Sequence, residues 1–246
     1  MSGPAGERFE RALHSLPPPE LRGPEMLPTR LARAAVAALP VDGAGLSIHA
    51  IDGMRTPIGA SDRRAADAER LQFTHGAGPC IRAHDDGEMI RFDEGDIARN
   101  WPTLHESLVE ETHFRAVLSV PLLPPLGPLV VLDLYVREPD RLATVDRREV
   151  EDVTVGVTRA MVSATIGGPD GARRWWEGPD ALRRARVWQA TGLINVALRV
   201  DTADALAMLK AHAFATGRVV DDVGDDLVEG RLSLETLRNA GEGRRA

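Results

Sequence analysis

Hydrophobic positions repeat with two different periods along this chain, and the change between them outlines its first elements. Apolar residues at intervals of three and four predict an amphipathic helix over 27–39, which Pro40 ends. Alternation over 43–51 predicts a strand with an apolar inward face, followed by a turn at Asp52-Gly53. We therefore expect a helix and then the first strand of a hairpin.

The strongest strand patterns lie near the middle of the chain. Two apolar runs, 116–122 and 129–136, are separated by a proline-rich segment and predict neighbouring strands of an antiparallel sheet. A long amphipathic helix is predicted over 144–165. Shorter elements are predicted as helices over 64–72 and 102–112 and as a strand over 88–92. This order predicts an α+β domain in which helices flank an antiparallel sheet.

A glycine- and proline-rich segment separates a second, all-helical part of the chain. Residues 166–171 have the composition of a linker. Beyond it, periodic apolar residues predict helices over 182–200, from Asp201 or Thr202 to Gly217, and over 219–230. We predict four regions: an irregular N-terminal arm over 1–26, the α+β domain over 27–166, a linker over 167–178, and a small all-α three-helix domain over 179–240.

The composition is that of an ordinary folded protein without a membrane segment. Apolar residues make up 43% of the chain and charged residues 27%, which excludes a disordered or fibrous class. No apolar run is long enough to cross a bilayer, and the N-terminus lacks the basic start and apolar stretch of a secretory signal. The single cysteine, Cys80, can form no internal disulfide. We expect a cytoplasmic protein with no membrane partner.

Charge is distributed unevenly along the chain. The formal net charge is −7, but residues 181–246 contain ten Lys plus Arg and nine Asp plus Glu, a net of +1, which leaves −8 for residues 1–180. Lys210 is the only lysine. Because the last quarter is only mildly basic, its charge alone makes a weak case for nucleic-acid binding.

Three segments of the predicted helical domain carry a resemblance to a known family. Arg184–Ile194 resembles the opening helix of ANTAR domains, the RNA-binding output modules of bacterial transcription antitermination regulators. Ala203–Leu209 falls where that family has its second helix, and Ala215–Val223 falls on the turn into the third.

The upstream domain is similar to the GAF domains of actinobacterial GAF-ANTAR proteins. The similarity is carried by Gly76–Cys80, Asn100–Pro102 and Phe114–Leu122, within about 27–165. The resemblance implies that the GAF-like domain senses a small-molecule or protein signal. It also implies that the ANTAR-like domain binds paired RNA stem-loops that compete with a terminator, usually as a homodimer. The expected function is that of a signal-responsive transcription antitermination regulator.

Seven residues of the helical domain are candidates for contact with RNA. Cations at the start of the first helix and the end of the second can converge in a three-helix packing, and arginine suits phosphate and base-edge contacts. In the family motif an amide can read a base edge and a small residue permits close approach. The candidates are Arg183, Arg184, Arg186, Gln189, Ala190, Lys210 and Arg218. The alternatives are an ordinary solvated face for the cations and tight helix packing at Ala190.

Departures from the family pattern leave a second function open. The family usually has a lysine where this chain has Thr191, and polar or basic residues where it has Gly217 and Val219. Fewer phosphate contacts would follow. The alternative function is a protein-interaction regulator whose degenerate ANTAR domain no longer binds RNA.

Other side chains are assigned by their spacing. The carboxylates of the third helix favour a solvated outer surface and argue against a DNA-reading helix-turn-helix. Trp175 and Trp176 favour a domain-junction or dimer contact over base stacking. Cys80 favours simple burial, with a redox or ligand-pocket role as the alternative. The four carboxylates of the third helix, predicted above to form a solvated surface, are Asp221, Asp222, Asp225 and Asp226.

Catalytic and cofactor signatures are absent from the sequence. It has no phosphate-binding loop ending in Gly-Lys, no Gly-x-Ser-x-Gly elbow and no His-Glu-x-x-His. The histidines lack metal-ligand spacing. A phosphorylated receiver domain is disfavoured because no lysine precedes Lys210. We predict a non-enzymatic regulator with no bound cofactor or metal.

Overall fold

The chain divides into two compact units. The computed structural model describes residues 3–49, 55–167 and 174–242. The first unit comprises Met1–Gln72 and Ala77–Ala181, and the second comprises Phe73–Gly76 and Leu182–Ala246. The predicted turn at Asp52-Gly53 and residues 168–173 of the predicted linker lie outside the described residues.

The first unit is built on an antiparallel sheet. The described strands are β1 (Gly43–His49), β2 (Arg55–Ala60), β3 (Ile90–Phe92), β4 (Ala116–Pro121) and β5 (Val130–Val136). Their order across the sheet is β2-β1-β5-β4-β3. The two apolar runs predicted as neighbours are β4 and β5, which pair from Ala116 opposite Val136 to Pro121 opposite Val131. The α+β prediction is confirmed.

Alternation in the strands gives the sheet one apolar face, which forms the main core of the first unit. Leu46 of β1, Leu118 of β4 and Leu132 of β5 are fully buried on this face. Burial of each such side chain contributes about 1.5–3 kcal/mol. The helices that supply the rest of this core are α1 (Pro4–His14), α2 (Leu27–Ala38) and α8 (Arg147–Gly167).

The opposite face of the sheet carries buried polar side chains and is covered by a second set of helices. Ser47, Ser119, Asp133 and Tyr135 lie on it, and all four are fully buried. Their strand positions alternate with the apolar ones, as the pleat requires. The helices of this part of the unit are α3 (Arg63–His75), α4 (Pro79–Asp86), α5 (Glu94–Asn100) and α6 (Pro102–Ser107) with a π-helical turn (Leu108–Thr112). The short helix α7 (Pro139–Leu142) follows β5 and contributes Leu142 to the main core instead.

The prediction of an irregular N-terminal arm over 1–26 is wrong. Residues 4–14 form α1, with Pro4 in the first turn, where a missing N–H costs nothing. Phe9 is fully buried and packs over Gly156 of α8, where an added Cβ would lie 2.7 Å from the ring. Short turns of 3-10 helix follow at Pro19–Leu21 and Pro24–Met26. The prolines of this segment led to the prediction of irregular structure, because the contact of Phe9 with α8 that stabilises the helix cannot be recognised from the local sequence.

The second unit is all-helical, with one helix more than predicted. Its helices are α9 (Pro179–Leu198), α10 (Thr202–Thr216), α11 (Val220–Val228) and α12 (Leu234–Glu242), and the first three residues of α9 group with the first unit. Leu237 of α12 is buried in the core of the unit. Ser233 precedes this helix, and its hydroxyl accepts a hydrogen bond from the Thr236 N–H of the first turn. The three-helix prediction missed α12 because its segment offers only two large apolar residues, Leu234 and Leu237, whereas α11, of the same length, has four. No helix among the described residues is long and apolar enough to cross a membrane.

Candidate functional site

The helical unit holds all the predicted RNA-binding residues, and its core fixes their directions. Val187, Ile194 and Val223 are fully buried in that core. Asp201 caps α10 by accepting a hydrogen bond from the Asp204 N–H at 2.8 Å, a contact worth about 1 kcal/mol. Gly217 ends α10 at a φ of 62°, in the left-handed region that glycine adopts without strain.

Gly224 of α11 brings α9 and α11 close together. A Cβ at this position would lie 3.0 Å from the Cα of Val187 and 3.3 Å from its Cγ2. These contacts are closer than ordinary van der Waals distance, so a side chain at this position would push the two helices apart. The close packing sets which side chains of α9 face α11 and which face solvent.

The sequence predicted that Arg184 would lie on an exposed basic surface, and this prediction is wrong. Its side chain is fully buried, and its guanidinium lies 3.2 Å from the carboxylate of Asp221. The same guanidinium stacks on the ring of Phe73, 3.4 Å from the ring centroid. A side chain without solvent access cannot contact RNA unless the unit rearranges. The position follows from the helical period, since Arg184 precedes buried Val187 and Thr191 on the inward face of α9.

Ala190 and Thr191 are also interior residues. Ala190 is fully buried in the core of the helical unit, which favours the helix-packing interpretation of this position. The Thr191 hydroxyl is buried and donates to the Val187 carbonyl oxygen at 2.8 Å. A threonine therefore satisfies its own polar group here, where the charge of a lysine would have to leave the interior.

Arg186 and Arg218 converge on one surface cluster of ion pairs, although they lie on different elements. Arg186 of α9 pairs with Glu229 and lies 3.5 Å from Asp225. Arg218, just after α10, donates to Asp226 at 2.6 Å. These contacts bring the first helix and the end of the second to neighbouring carboxylates of α11 and of the residue after it.

Arg231 completes this cluster and was missed by the sequence analysis. It donates to both Asp225 and Asp226 at 2.6 Å. The available signal was its position after Gly230, which returns the chain toward the carboxylates of α11. We call the six residues the arginine–carboxylate cluster: Arg186, Arg218, Arg231, Asp225, Asp226 and Glu229. Three cations and three anions make its formal charge zero.

The other candidate residues lie apart from one another. Arg183 and Gln189 are exposed on α9. Lys210 of α10 is half-buried, with its Nζ over the ring of Phe73 at 4.6 Å from the centroid. The structure thus joins Arg186 and Arg218, leaves Arg183 and Gln189 exposed, and places Lys210 against an aromatic ring.

The carboxylates predicted to form one solvated surface have different environments. Asp221 is buried against Arg184, whereas Asp222 is exposed. Asp225 and Asp226 are partly exposed and hold the arginines of the cluster. Hydrogen bonds from Arg231 and Arg218 lower the pKa of Asp226. The prediction therefore fails at Asp221, whose partner lies far away along the sequence.

The first unit contains a second candidate site, a buried polar cluster on the sheet. Arg55 of β2 donates to Glu69 of α3, and Tyr135 of β5 donates to the same carboxylate at 2.6 Å. Asp133 accepts from Ser119 at 2.5 Å and from Gln72 at 3.0 Å. Four of these side chains can be charged or ionised, and burial makes their pairing necessary. The cluster ties α3 to three strands.

The pKa values of Asp133 and of the neighbouring Cys80 are raised well above their ordinary values. Burial, together with the nearby charge of Glu69, raises the pKa of Asp133 to about 8. Burial also raises the pKa of the Cys80 thiol well above its ordinary value. A protonated, fully buried thiol is a poor nucleophile, which supports the interpretation of Cys80 as a buried cysteine.

Two histidines stack at the edge of the same cluster. The rings of His49 and His84 have centroids 4.4 Å apart and lie 15° from parallel. Burial, with the charges of Arg55 and His84, lowers the pKa of His49 to about 2. His49 is therefore neutral near pH 7 and shares a hydrogen bond with Ser47 at 3.2 Å.

The tryptophan pair is split between core and surface. Trp175 is buried in the core of the first unit and donates its indole N–H to Thr165 at 3.0 Å. Trp176 is 39% exposed and lies edge-on to Trp175. Burial prevents Trp175 from stacking on a base.

No protein-family model matches this chain, and the search of curated proteins found no match.

Proposed function

We propose that this chain is a signal-responsive transcription antitermination regulator of the GAF-ANTAR type. In this proposal the first unit senses a small-molecule or protein signal, and the helical unit of a homodimer binds paired RNA stem-loops. The protein acts by holding RNA in one of two competing folds and performs no covalent chemistry.

The convergence of Arg186 and Arg218 carries the RNA part of the proposal. Two arginines from separate elements, joined by Arg231, offer planar guanidiniums on one surface of the helical unit. Guanidinium groups bind phosphate through two parallel hydrogen bonds. Arg183 and Gln189 are exposed on α9 and extend the set of polar contacts available to RNA.

Phosphate binding to this cluster requires an arginine to leave its carboxylate partner. Ion pairs between exposed side chains contribute only about 0–1 kcal/mol, because water screens them. A phosphate can therefore replace Asp225 or Glu229 as the partner of Arg186 at small cost. In the free protein, the same carboxylates hold the arginines in place and keep the surface neutral. This neutrality disfavours indiscriminate binding to nucleic acid.

The polar cluster of the first unit supports a sensing role. Buried charged groups tie α3 to the sheet, and a satisfied network of this kind specifies one arrangement of its members. A signal that competes for one of these hydrogen bonds would favour a different arrangement of α3 against the sheet. A signal that binds one arrangement better than the other shifts their populations. In this proposal the signal is either a small molecule or a protein.

A second function is favoured by the apolar surface of α9. Leu182, Leu193 and Val196 are 55%, 47% and 83% exposed, and they share one face of the helix with Gln189. An exposed apolar stripe of this kind is typical of a protein contact. The second candidate is therefore a protein-interaction regulator whose ANTAR-like unit no longer binds RNA.

A binding experiment distinguishes the two functions. The full-length protein is titrated with paired-hairpin RNA and with duplex DNA of the same length. The Arg186→Ala/Arg218→Ala variant is compared with Arg238→Ala, which removes an exposed arginine of α12 outside the cluster. RNA binding that is lost only in the first variant supports antitermination. Equal, weak binding by all three proteins supports the protein-interaction function.

A further inference from the structure

The first unit carries a groove that shares no lining residue with the polar cluster. It runs between the end of α1, the segment that follows it, and α2, and its volume is about 250 Å³. Sites for drug-sized ligands have volumes of about 300–1,000 Å³, so this groove suits a smaller molecule.

The floor and one wall of the groove are apolar. Leu13, Leu21 and Ala34 line it with hydrocarbon, and Ala37 adds an exposed methyl group. Pro17 and Pro18 also line the groove, and their rings fix the backbone φ. The wall is therefore preformed and loses little conformational entropy when a ligand binds.

Two arginines of α2 line the same groove. Arg30 donates to the carbonyl oxygens of Leu21 and Gly23, at 2.7 and 3.3 Å. Arg33 donates its Nε–H to the Ser61 carbonyl oxygen at 3.1 Å. Within the described ranges neither guanidinium forms an ion pair with a carboxylate, in contrast to Arg186 and Arg218.

The positive charge of this groove is thus only partly compensated. Carbonyl oxygens satisfy some N–H groups of Arg30 and Arg33 but carry no formal charge. Burial lowers the pKa of Arg30, and the charge of Glu25 opposes this. An anion placed between the two guanidiniums would supply charge-assisted hydrogen bonds.

We propose that this groove binds a small amphipathic anion, a carboxylate with a short apolar tail. The carboxylate lies against Arg30 and Arg33, and the tail lies on Leu13, Ala34 and Ala37. Apolar floor and cationic rim together select this class over neutral amphiphiles and over inorganic anions. The site is independent of RNA binding and of the signal that the polar cluster would sense.

Calorimetric titration of the full-length protein with octanoate tests this site. The proposal expects saturable binding of octanoate, and at least ten-fold weaker binding of 1-octanol and of acetate. Ala37→Phe, which fills the groove from an exposed position, should abolish binding. Arg33→Gln should weaken binding at least five-fold, whereas Arg148→Gln, at an exposed position of α8, should leave it unchanged.

Three results would overturn the proposal. They are no saturable binding of octanoate, equal binding of octanol, or undiminished binding by Ala37→Phe. Circular dichroism of each variant shows whether it is folded. Since none of these residues belongs to the arginine–carboxylate cluster, RNA binding by the same variants is expected to remain at the wild-type level.

Discussion

The guanidinium of Arg184 lies 3.2 Å from the carboxylate of Asp221, and both side chains are buried in the helical unit. The pair joins α9 to α11 across the interior, where Phe73 covers the guanidinium. Two charges in this environment stabilise the fold only as long as both are present. Arg184 is therefore a structural residue, although it lies within the segment that resembles an RNA-binding motif.

Removing one partner of this pair should destabilise the helical unit. Arg184→Met leaves the Asp221 carboxylate buried without its charged partner, at a cost of about 3–5 kcal/mol. Urea unfolding followed by circular dichroism measures the loss. Arg183→Met is the matched control, because Arg183 is the exposed neighbour, and it should change stability by less than about 0.5 kcal/mol. Equal effects of the two substitutions would show that Arg184 is not held by Asp221.

Stability should fall with rising pH because of Asp133. Its pKa is raised to about 8 in the folded protein, compared with about 3.9 in an unfolded chain. Native Asp133 therefore keeps a proton that the unfolded chain has released, and the free energy of unfolding decreases as pH rises toward 8. Asp133 alone gives a slope that approaches about 1.4 kcal/mol per pH unit. Below about pH 6.5 the unfolded chain protonates His49, which stays neutral in the folded protein, and this opposes the effect of Asp133. The net decrease in stability is therefore expected above about pH 6.5.

Asp133→Asn isolates this effect. The amide cannot ionise, so the decrease between pH 6.5 and 8 should disappear, and the variant should gain stability relative to wild type as pH rises. Urea unfolding at several pH values tests this. Asp140→Asn is the control, since Asp140 is an exposed aspartate of α7. A wild-type slope that persists in Asp133→Asn would assign the titration to another group.

Two glycines of the helical unit should respond to substitution in opposite directions. Gly192→Ala meets no atom within 4 Å, and it should stabilise α9 by about 0.5–1 kcal/mol through helix propensity. Gly224→Val forces a branched side chain against Val187 and should destabilise the unit by about 1–3 kcal/mol. Thermal unfolding of both variants compares them directly. A stabilised Gly224→Val would mean that α9 and α11 do not approach closely.

The sequence predicted the parts of the fold that local pattern determines. The strands β4 and β5 are long apolar runs, and the turn between them is marked by prolines, so their pairing was recognisable. The helices α1 and α12 were missed because each has few apolar residues of its own and is stabilised by burying Phe9 or Leu237 against other segments. Periodicity within a segment cannot show which distant segment will cover it.

The candidate site was predictable only in part, for the same reason. The convergence of Arg186 and Arg218 followed from the expected packing of three helices. The burial of Arg184 depends on Asp221, and the role of Arg231 depends on a turn that returns it to Asp225. Arg184 and Asp221 are far apart in the sequence, whereas Arg231 is close to Asp225 and reaches it only through the turn at Gly230. Charge counts cannot distinguish a paired arginine from an exposed one.

The measurement that tests RNA binding most directly is a salt series with paired-hairpin RNA. Wild type and the Arg186→Ala/Arg218→Ala variant are titrated at increasing salt, and the logarithm of the binding constant is plotted against that of the salt concentration. The account predicts steep salt dependence for wild type and a slope smaller by about one for each lost phosphate contact. Identical slopes and affinities for the two folded proteins, or no preference for hairpin RNA over duplex DNA, would contradict it.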